Sequence, residues 1–286
     1  MMSDMKPNID PSQYGNQTST SINHYLMNMI HEILSTTDNK NSEEQYAVIA
    51  SFIDWKEAFP RMCHKKGIES FISMGVRPVL LPCLVNFFQD RRMKIKWKGK
   101  FSEVKTLNGS GPMGSTLGLL EYIGQSNKNR QNVPPKQKFK WIDDLSALEK
   151  VNLLKIGMSS YNIKNHVPND IPLNNGYIPS ESLKTQCMIN DISEWTKNQK
   201  MSNIMIFNFS KRKQFTTRIK MEGSLLPVVS KTKILGTIIT DQLKWDENTK
   251  YIISRANARM QMIRKASKFT QNTSDLKQIL EWSIES

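Results

Sequence analysis

Cysteine is scarce in this chain of 286 residues: Cys63, Cys83 and Cys187 form an odd set without a CxxC spacing. That argues against a disulfide framework or a cysteine-held zinc, and it fits a reducing compartment. Histidine is nearly as rare, at four residues, which argues against a histidine-ligated metal centre. Any catalytic metal would then be held by carboxylates, a donor set suited to hard Mg²⁺. No apolar run approaches the roughly 18–20 residues that cross a bilayer. The first thirty residues lack the apolar stretch of a secretory signal. The expectation is an intracellular protein, nuclear or cytoplasmic, with no membrane partner. Acids are also in deficit, with 26 Asp and Glu against 40 Lys and Arg, for a formal net charge of +14. Such an excess favours polyanions through steering and counterion release, although an inert basic surface carries the same sum.

What is present describes a somewhat polar folded protein, 38% hydrophobic and long enough to bury a sizeable core. Residues 1–19 read as irregular. In SINHYLMNMIHEIL (21–34) the apolar positions fall on one helical face. YAVIASFID (46–54) is rich in β-branched and aromatic residues and reads as a buried strand ending in an acid. Short helices follow in IESFISMG and PVLLPCLVNFFQDRR, then a hairpin of MKIKWKGK and FSEVKTL turning at Lys98–Gly99. GSGPMGSTLGLLEYIG is a glycine-rich loop feeding a helix, and KFKWIDDLSALE reads strand, tight acidic turn, strand. A loop-rich stretch covers 156–180, and an amphipathic helix follows with Ser180 or Ser182 as its N-cap. NIMIFNF, QFTTRIKM, LLPVV and TKILGTIIT read as strands, and a long basic helix starts near Asp246. The order is mixed α+β without regular crossovers. The glycine loop is not a Walker loop, because no GK[ST] follows it.

Two acidic sites close apolar strands: Asp54 after AVIASFI, and Asp143–Asp144 between FKWI and LSAL. Adjacent carboxylates near a core repel one another and resist desolvation, a cost that a bound divalent cation removes. An ordinary solvated turn is the competing reading, since Asp is common in turns.

The set and its order resemble the polymerase motifs of reverse transcriptases of the LINE-like, non-LTR retrotransposon kind. FIDWKEAF looks like motif A, SGPMGS like motif B and KWIDDLS like motif C. DPSQYGNQTSTS resembles a fingers motif, and ILGTIITDQLKW the strand pair leading into the thumb; the likeness runs from about Asp10 to about Lys277. The resemblance implies a right-hand polymerase of α+β class. Its parts would be an irregular tail at 1–9, partial fingers (10–45 and 65–108) and a palm within 10–245, and a truncated thumb at 246–286. It implies RNA-directed DNA synthesis from an RNA template, a DNA primer and deoxynucleoside triphosphates. Asp54, Asp143 and Asp144 would hold Mg²⁺ or Mn²⁺, in a chemistry that uses two ions about 3.5–4 Å apart. Phe59 would discriminate the sugar, and Gly111, Pro112, Met113, Gly114 and Ser115 would shape the nucleotide and template site. Arg91, Arg92, Lys94, Lys96 and Lys98 would follow the nucleic-acid backbone with Trp97 beside them, as would Arg255 and Arg259 of the basic helix. Each has a plainer alternative: a core aromatic, a glycine turn, a cationic hairpin edge, a solvated helix face.

The chain also departs from that pattern. Met113 stands where motif B carries Gln, Trp141 where motif C carries Tyr or Phe, and the fingers segment has no Arg. After Lys200 the chain is short, with no equivalent of the family's pyrophosphate-protonating lysine, a loss worth about 10²–10⁴-fold. Two readings stay open: a working reverse transcriptase domain, or a catalytically inactive remnant that at most binds nucleic acid. The geometric expectation is that Asp54 converges on Asp143–Asp144 from about 90 positions away.

Overall fold

An unbroken antiparallel ladder ties Tyr46–Asp54 to Asp144–Asn152 in the computed structural model. The structure describes residues 1–38, 45–55, 59–107, 109–111, 114–127, 134–154, 176–178, 183–195, 201–210, 215–268, 274 and 277. The chain divides into two compact units, Met1–Val228 and Val229–Ser286.

The elements of the first unit run α1 (Met2–Met5), α2 (Ile22–Thr37), β1 (Tyr46–Asp54), α3 (His64–Ser73), α4 (Leu81–Phe88), β2 (Arg91–Met93), β3 (Lys96–Trp97), β4 (Lys100–Phe101), β5 (Lys105–Leu107) and α5 (Thr116–Asn127). They continue with β6 (Lys138–Trp141), β7 (Asp144–Asn152), β8 (Gly176–Ile178), α6 (Lys184–Trp195), β9 (Met201–Phe207), β10 (Phe215–Thr217), β11 (Lys220–Met221) and β12 (Ser224–Leu225). The central sheet has the order β6-β7-β1-β9, every neighbour antiparallel. This is the mixed α+β arrangement read from the sequence.

Strand β1 sits in the middle of this sheet and is buried on both faces, which is why its sequence is apolar almost without alternation. On one face Ala47, Ile49 and Ile53 join Leu145, Ala147 and Val151 of β7, Ile204 of β9, and Leu183, Met188 and Ile189 from the α6 region. Glu149 fixes the start of α6 there: its carboxylate accepts from the backbone N–H of Lys184 (3.0 Å) and Thr185 (2.8 Å) and from the Thr185 hydroxyl. The sequence suggests Ser180 or Ser182 for that cap, and both lie outside the described residues. Helix α2 covers the other face. Its N-cap is Ser21, whose Oγ accepts from His24 N. Tyr25 donates to Ser146 Oγ at 2.6 Å, and Glu32 pairs with Lys150 at 2.9 Å.

The N-terminal residues are not the irregular tail that their polar sequence suggests. Met5 of α1 is fully buried in a second cluster with Phe71, Met74, Val76, Leu84, Phe88 and Leu120. Further on, Lys140 N donates to Ser12 O and Tyr14 N to Lys140 O, both at 2.8 Å, so this segment lies along the free edge of β6. The buried ammoniums of Lys138 and Lys140 each stand 2.9 Å from Asp10 Oδ2. Opposed by burial but favoured by Lys140 above all, the Asp10 carboxyl lies far below the usual carboxylate range.

In the second unit β13 (Lys231–Ile234) and β14 (Thr237–Thr240) form a hairpin, its turn at Leu235 (φ 47°) and Gly236 (φ 85°). Helix α7 (Asp246–Ala266) packs against β14, and Asn248 accepts from Ile238 N at 3.0 Å. Asp246 and Glu247 in its first turn, and Arg264 and Lys265 in its last, complement the helix dipole.

Helices α3 and α5 pack so closely that a Cβ at Gly67 would stand 2.5 Å from Glu121 Oε1 and 2.6 Å from its Cγ. Glu121 is fully buried, with Gln125 Nε2 donating to it at 3.2 Å. Helix propensity favours Ala over Gly by up to about 1 kcal/mol, whereas overpacking costs about 1–3 kcal/mol. Gly67→Ala is therefore expected to lower stability in urea unfolding, and the loss should shrink by more than half in a Glu121→Ala background. An equal loss in both backgrounds would show that the contact with Glu121 is not its cause.

Candidate active site

The register that packs β1 on β7 also brings the acids together. Asp54 ends β1 and Asp144 begins β7, and they are partners across the ladder, with Met201 of β9 on the other side of Asp54. Direct partners in an antiparallel pair lie about 4.5–5.5 Å apart at Cα and project to the same face. Asp143 precedes Asp144 in the two-residue turn between β6 and β7. All three are half-buried. The other turn residue, Ile142, has φ 57°. A β-branched side chain in the left-handed region costs on the order of 1–3 kcal/mol, and such strain gathers at functional sites. Gly15 lies against this turn, where a Cβ would come within 2.8 Å of Ile142 N and Cγ1.

The electrostatics follow from that crowding. Burial, and then the charges of Asp143 and Asp54, push the Asp144 carboxyl up to about 7. Burial raises Asp143 too, with Asp54 adding to it against a lowering backbone hydrogen bond. Tyr122 of α5 feels the same cluster. Burial first, then Asp143, Asp144 and Asp54, hold its phenol well above the usual tyrosine range. Its Oη is buried with no hydrogen-bond partner among the described residues.

Phe59 stacks on Tyr122, ring centroids 5.3 Å apart and planes 27° from parallel. The glycine loop closes over the turn that carries Phe59. Gly111 N donates to Phe59 O at 2.7 Å, and Ser110 N to Met62 O at 2.8 Å. A Cβ at Gly111 would stand 2.5 Å from Met62 Sδ and 3.1 Å from the Phe59 ring, so a side chain here would require Met62 to shift. Gly114 is exposed at φ +79°, and Ser115 immediately precedes α5, its Oγ accepting from Leu117 N and its carbonyl from Leu119 N. Pro112 and Met113 lie outside the described residues, as does Lys200. Thus Asp54, Asp143, Asp144, Phe59 and Gly111 form one neighbourhood. Sequence reasoning missed Tyr122. A tyrosine one helical turn beyond Gly118, on the face that follows the glycine loop, was the available signal.

Arg92, Lys94, Lys96 and Lys98 lie exposed on the β2–β5 and β3–β4 ribbons. Arg91, at their base, sits 4.8 Å over the Phe87 ring and lowers the raised Glu121 carboxyl. Arg255 and Arg259 are exposed on α7 in the second unit, with Arg255 Nη1 3.4 Å from the Tyr251 hydroxyl.

The donor set suits a hard divalent cation: three carboxylates at one corner, partly desolvated and mutually repelling. Among the described residues, however, no three His, Cys, Asp or Glu side chains already stand as a finished metal-binding group. The backbone supplies the juxtaposition, with Asp54 and Asp144 as cross-strand partners.

No protein-family profile matches the chain. Over 250 residues it is 23% identical to a Drosophila melanogaster protein described as "Probable RNA-directed DNA polymerase from transposon BS", covering 84% of this chain and 25% of that protein. The chain thus spans about a quarter of the length of that relative. Among solved structures, apo telomerase from Candida tropicalis, truncated from its C-terminal domain, superposes with a TM-score of 0.47 at 11% identity, over 82% of this chain and 40% of that one. The chain is distantly similar to a transposon reverse transcriptase.

The raised Asp144 carboxyl has a measurable consequence. The native state keeps this proton to higher pH than the unfolded chain does, so stability falls as pH rises from about 4 to about 7 and stays lowered above that. Without divalent cations, Asp144→Asn should raise Tm at pH 8 by about 2–4 °C per kcal/mol relieved. The gain should vanish near pH 4. Calorimetry at the two pH values checks this, and a gain independent of pH would mean that the Asp144 carboxyl is not raised in the folded state.

Proposed function

We propose that the chain is the core of an RNA-directed DNA polymerase of the non-LTR retroelement kind. In this reading Asp54, Asp143 and Asp144 hold Mg²⁺ or Mn²⁺ at the palm. The observation that carries the proposal is the cross-strand pairing of Asp54 with Asp144, with Asp143 next to it in a strained turn. Bound divalent ions would neutralise charge on the entering and leaving oxygens of phosphoryl transfer. The chain's own residues do the positioning. The ring of Phe59 stacks on Tyr122, and in this reading it would sense a ribose 2′-hydroxyl. Gly111 lets backbone come close without a side chain in the way. Residues 10–245 would supply fingers and palm and 246–286 part of a thumb. Arg92, Lys94, Lys96, Lys98, Arg255 and Arg259 would contact the phosphates of an RNA template and DNA primer, with deoxynucleoside triphosphates as substrates.

A second reading has its own support. Met113 stands where motif B carries Gln, and no equivalent of the pyrophosphate-protonating lysine follows Lys200, as expected of a remnant that binds nucleic acid without catalysis. Primer extension on poly(rA)/oligo(dT) with Mg²⁺ or Mn²⁺ separates the two. Extension should be present in the parent and fall by at least about 10²-fold in Asp143→Asn/Asp144→Asn. No extension by a folded parent, with salt-sensitive template–primer binding retained, would sink the polymerase reading and leave the second.

A further inference from the structure

Between α4 and the glycine loop the chain leaves the body of the first unit as a narrow ribbon, Arg91–Leu107, and returns. β2 pairs with β5, and β3 pairs with β4 through a turn at Lys98 (φ 46°) and Gly99 (φ 80°). Every residue from Arg92 to Thr106 is exposed. The ribbon carries seven Lys and Arg and a single acid, Glu103. It also leaves large apolar side chains in solvent: Trp97 is 74% exposed, Ile95 62% and Phe101 56%.

A two-stranded ribbon is marginal in water on its own, and exposed apolar edges invite aggregation. Lysines alone are the usual edge protection, so protection explains the cations but not Trp97 beside the turn. The cations and rings are also arranged with respect to one another. Lys94 Nζ lies 4.2 Å and Lys96 Nζ 5.6 Å from the Phe101 ring centroid, a cation–π pair that gathers positive charge over one ring. Trp97 is opposite Lys100 across the ladder, and its indole remains open. Open aromatic faces interleaved with cations match a chain that alternates flat bases with phosphates. A duplex offers the phosphates but keeps its base faces stacked away.

We infer that the Arg91–Leu107 ribbon is a docking surface for single-stranded RNA, with Trp97 stacking on an unpaired base and the surrounding lysines on phosphates. The choice of RNA rests on the proposed function, in which the template is RNA; the fit to an unpaired strand does not need the carboxylates to be catalytic.

The test is fluorescence anisotropy on the full chain without divalent ions or nucleotides, so a dead polymerase and an idle ribbon fail separately. Probes are an oligo(rU) of about 20 nucleotides, an oligo(dT) and a blunt duplex of the same length, and phosphatidylserine vesicles read by flotation. Trp97→Ala should weaken oligo(rU) binding by about 5- to 150-fold, the range for losing one stacked base. Trp97→Phe should recover most of it, and duplex binding should change by less than about twofold. Lys94→Gln/Lys96→Gln/Lys100→Gln should reduce the salt slope of oligo(rU) binding by about 2, at roughly 0.7 for each phosphate no longer neutralised. The inference is overturned if Trp97→Ala leaves oligo(rU) binding unchanged or weakens duplex binding equally. It is also overturned if oligo(dT) is bound more tightly than oligo(rU), or if the Trp97 dependence is found on vesicles instead of RNA.

Discussion

One alignment between two strands governs the molecule. β1 and β7 meet in the register that sets Ala47 opposite Val151 and Ile53 opposite Leu145, and that register also sets Asp54 opposite Asp144. Side chains alternate across a sheet, so a slip of one residue would turn the whole apolar set of β1 away from α6 and carry the acid with it. Burying the core and crowding the carboxylates are thus one event. The apolar ladder, many residues long, provides the stabilisation that tolerates repulsion at its end.

The consequences spread outward from that corner through direct contacts. The carboxylates act on the Tyr122 phenol, Tyr122 supports the Phe59 ring, and the Phe59 carbonyl receives the glycine loop at Gly111. The segment after β1, the loop before α5 and the β6–β7 turn, far apart in sequence, thereby share one small volume. Glycine at position 111 is a matter of room, set by Met62 and Phe59, and at position 114 a matter of backbone angle.

Much of this was legible in the sequence. YAVIASFID announces a strand buried on both faces because nearly every side chain is apolar or small, and the final Asp stands out against that run. Lys98–Gly99 marks a hairpin because alternating segments flank it and Gly99 accepts left-handed backbone freely. What was not legible came from distant parts of the chain. Met5 belongs to a core, yet a short polar N-terminal string has no periodicity to betray it. The N-terminus of α6 is capped by Glu149, about 35 residues earlier and on another element. The strain at Ile142 runs against local preference, since isoleucine is among the residues least suited to φ above zero. Propensity points away from such a conformation, and only the surrounding packing enforces it.

The strand order has a further consequence during synthesis. β1 is made early, but its partner β7 follows about 90 residues later and β9 later still. At roughly 5–20 residues per second, the apolar YAVIASFI segment waits on the order of 5–18 seconds for its first strand neighbour. In that interval α2, already complete, covers one of its faces. The other face must rest on a chaperone or remain in water until the α6 region, with Leu183, Met188 and Ile189, has been translated.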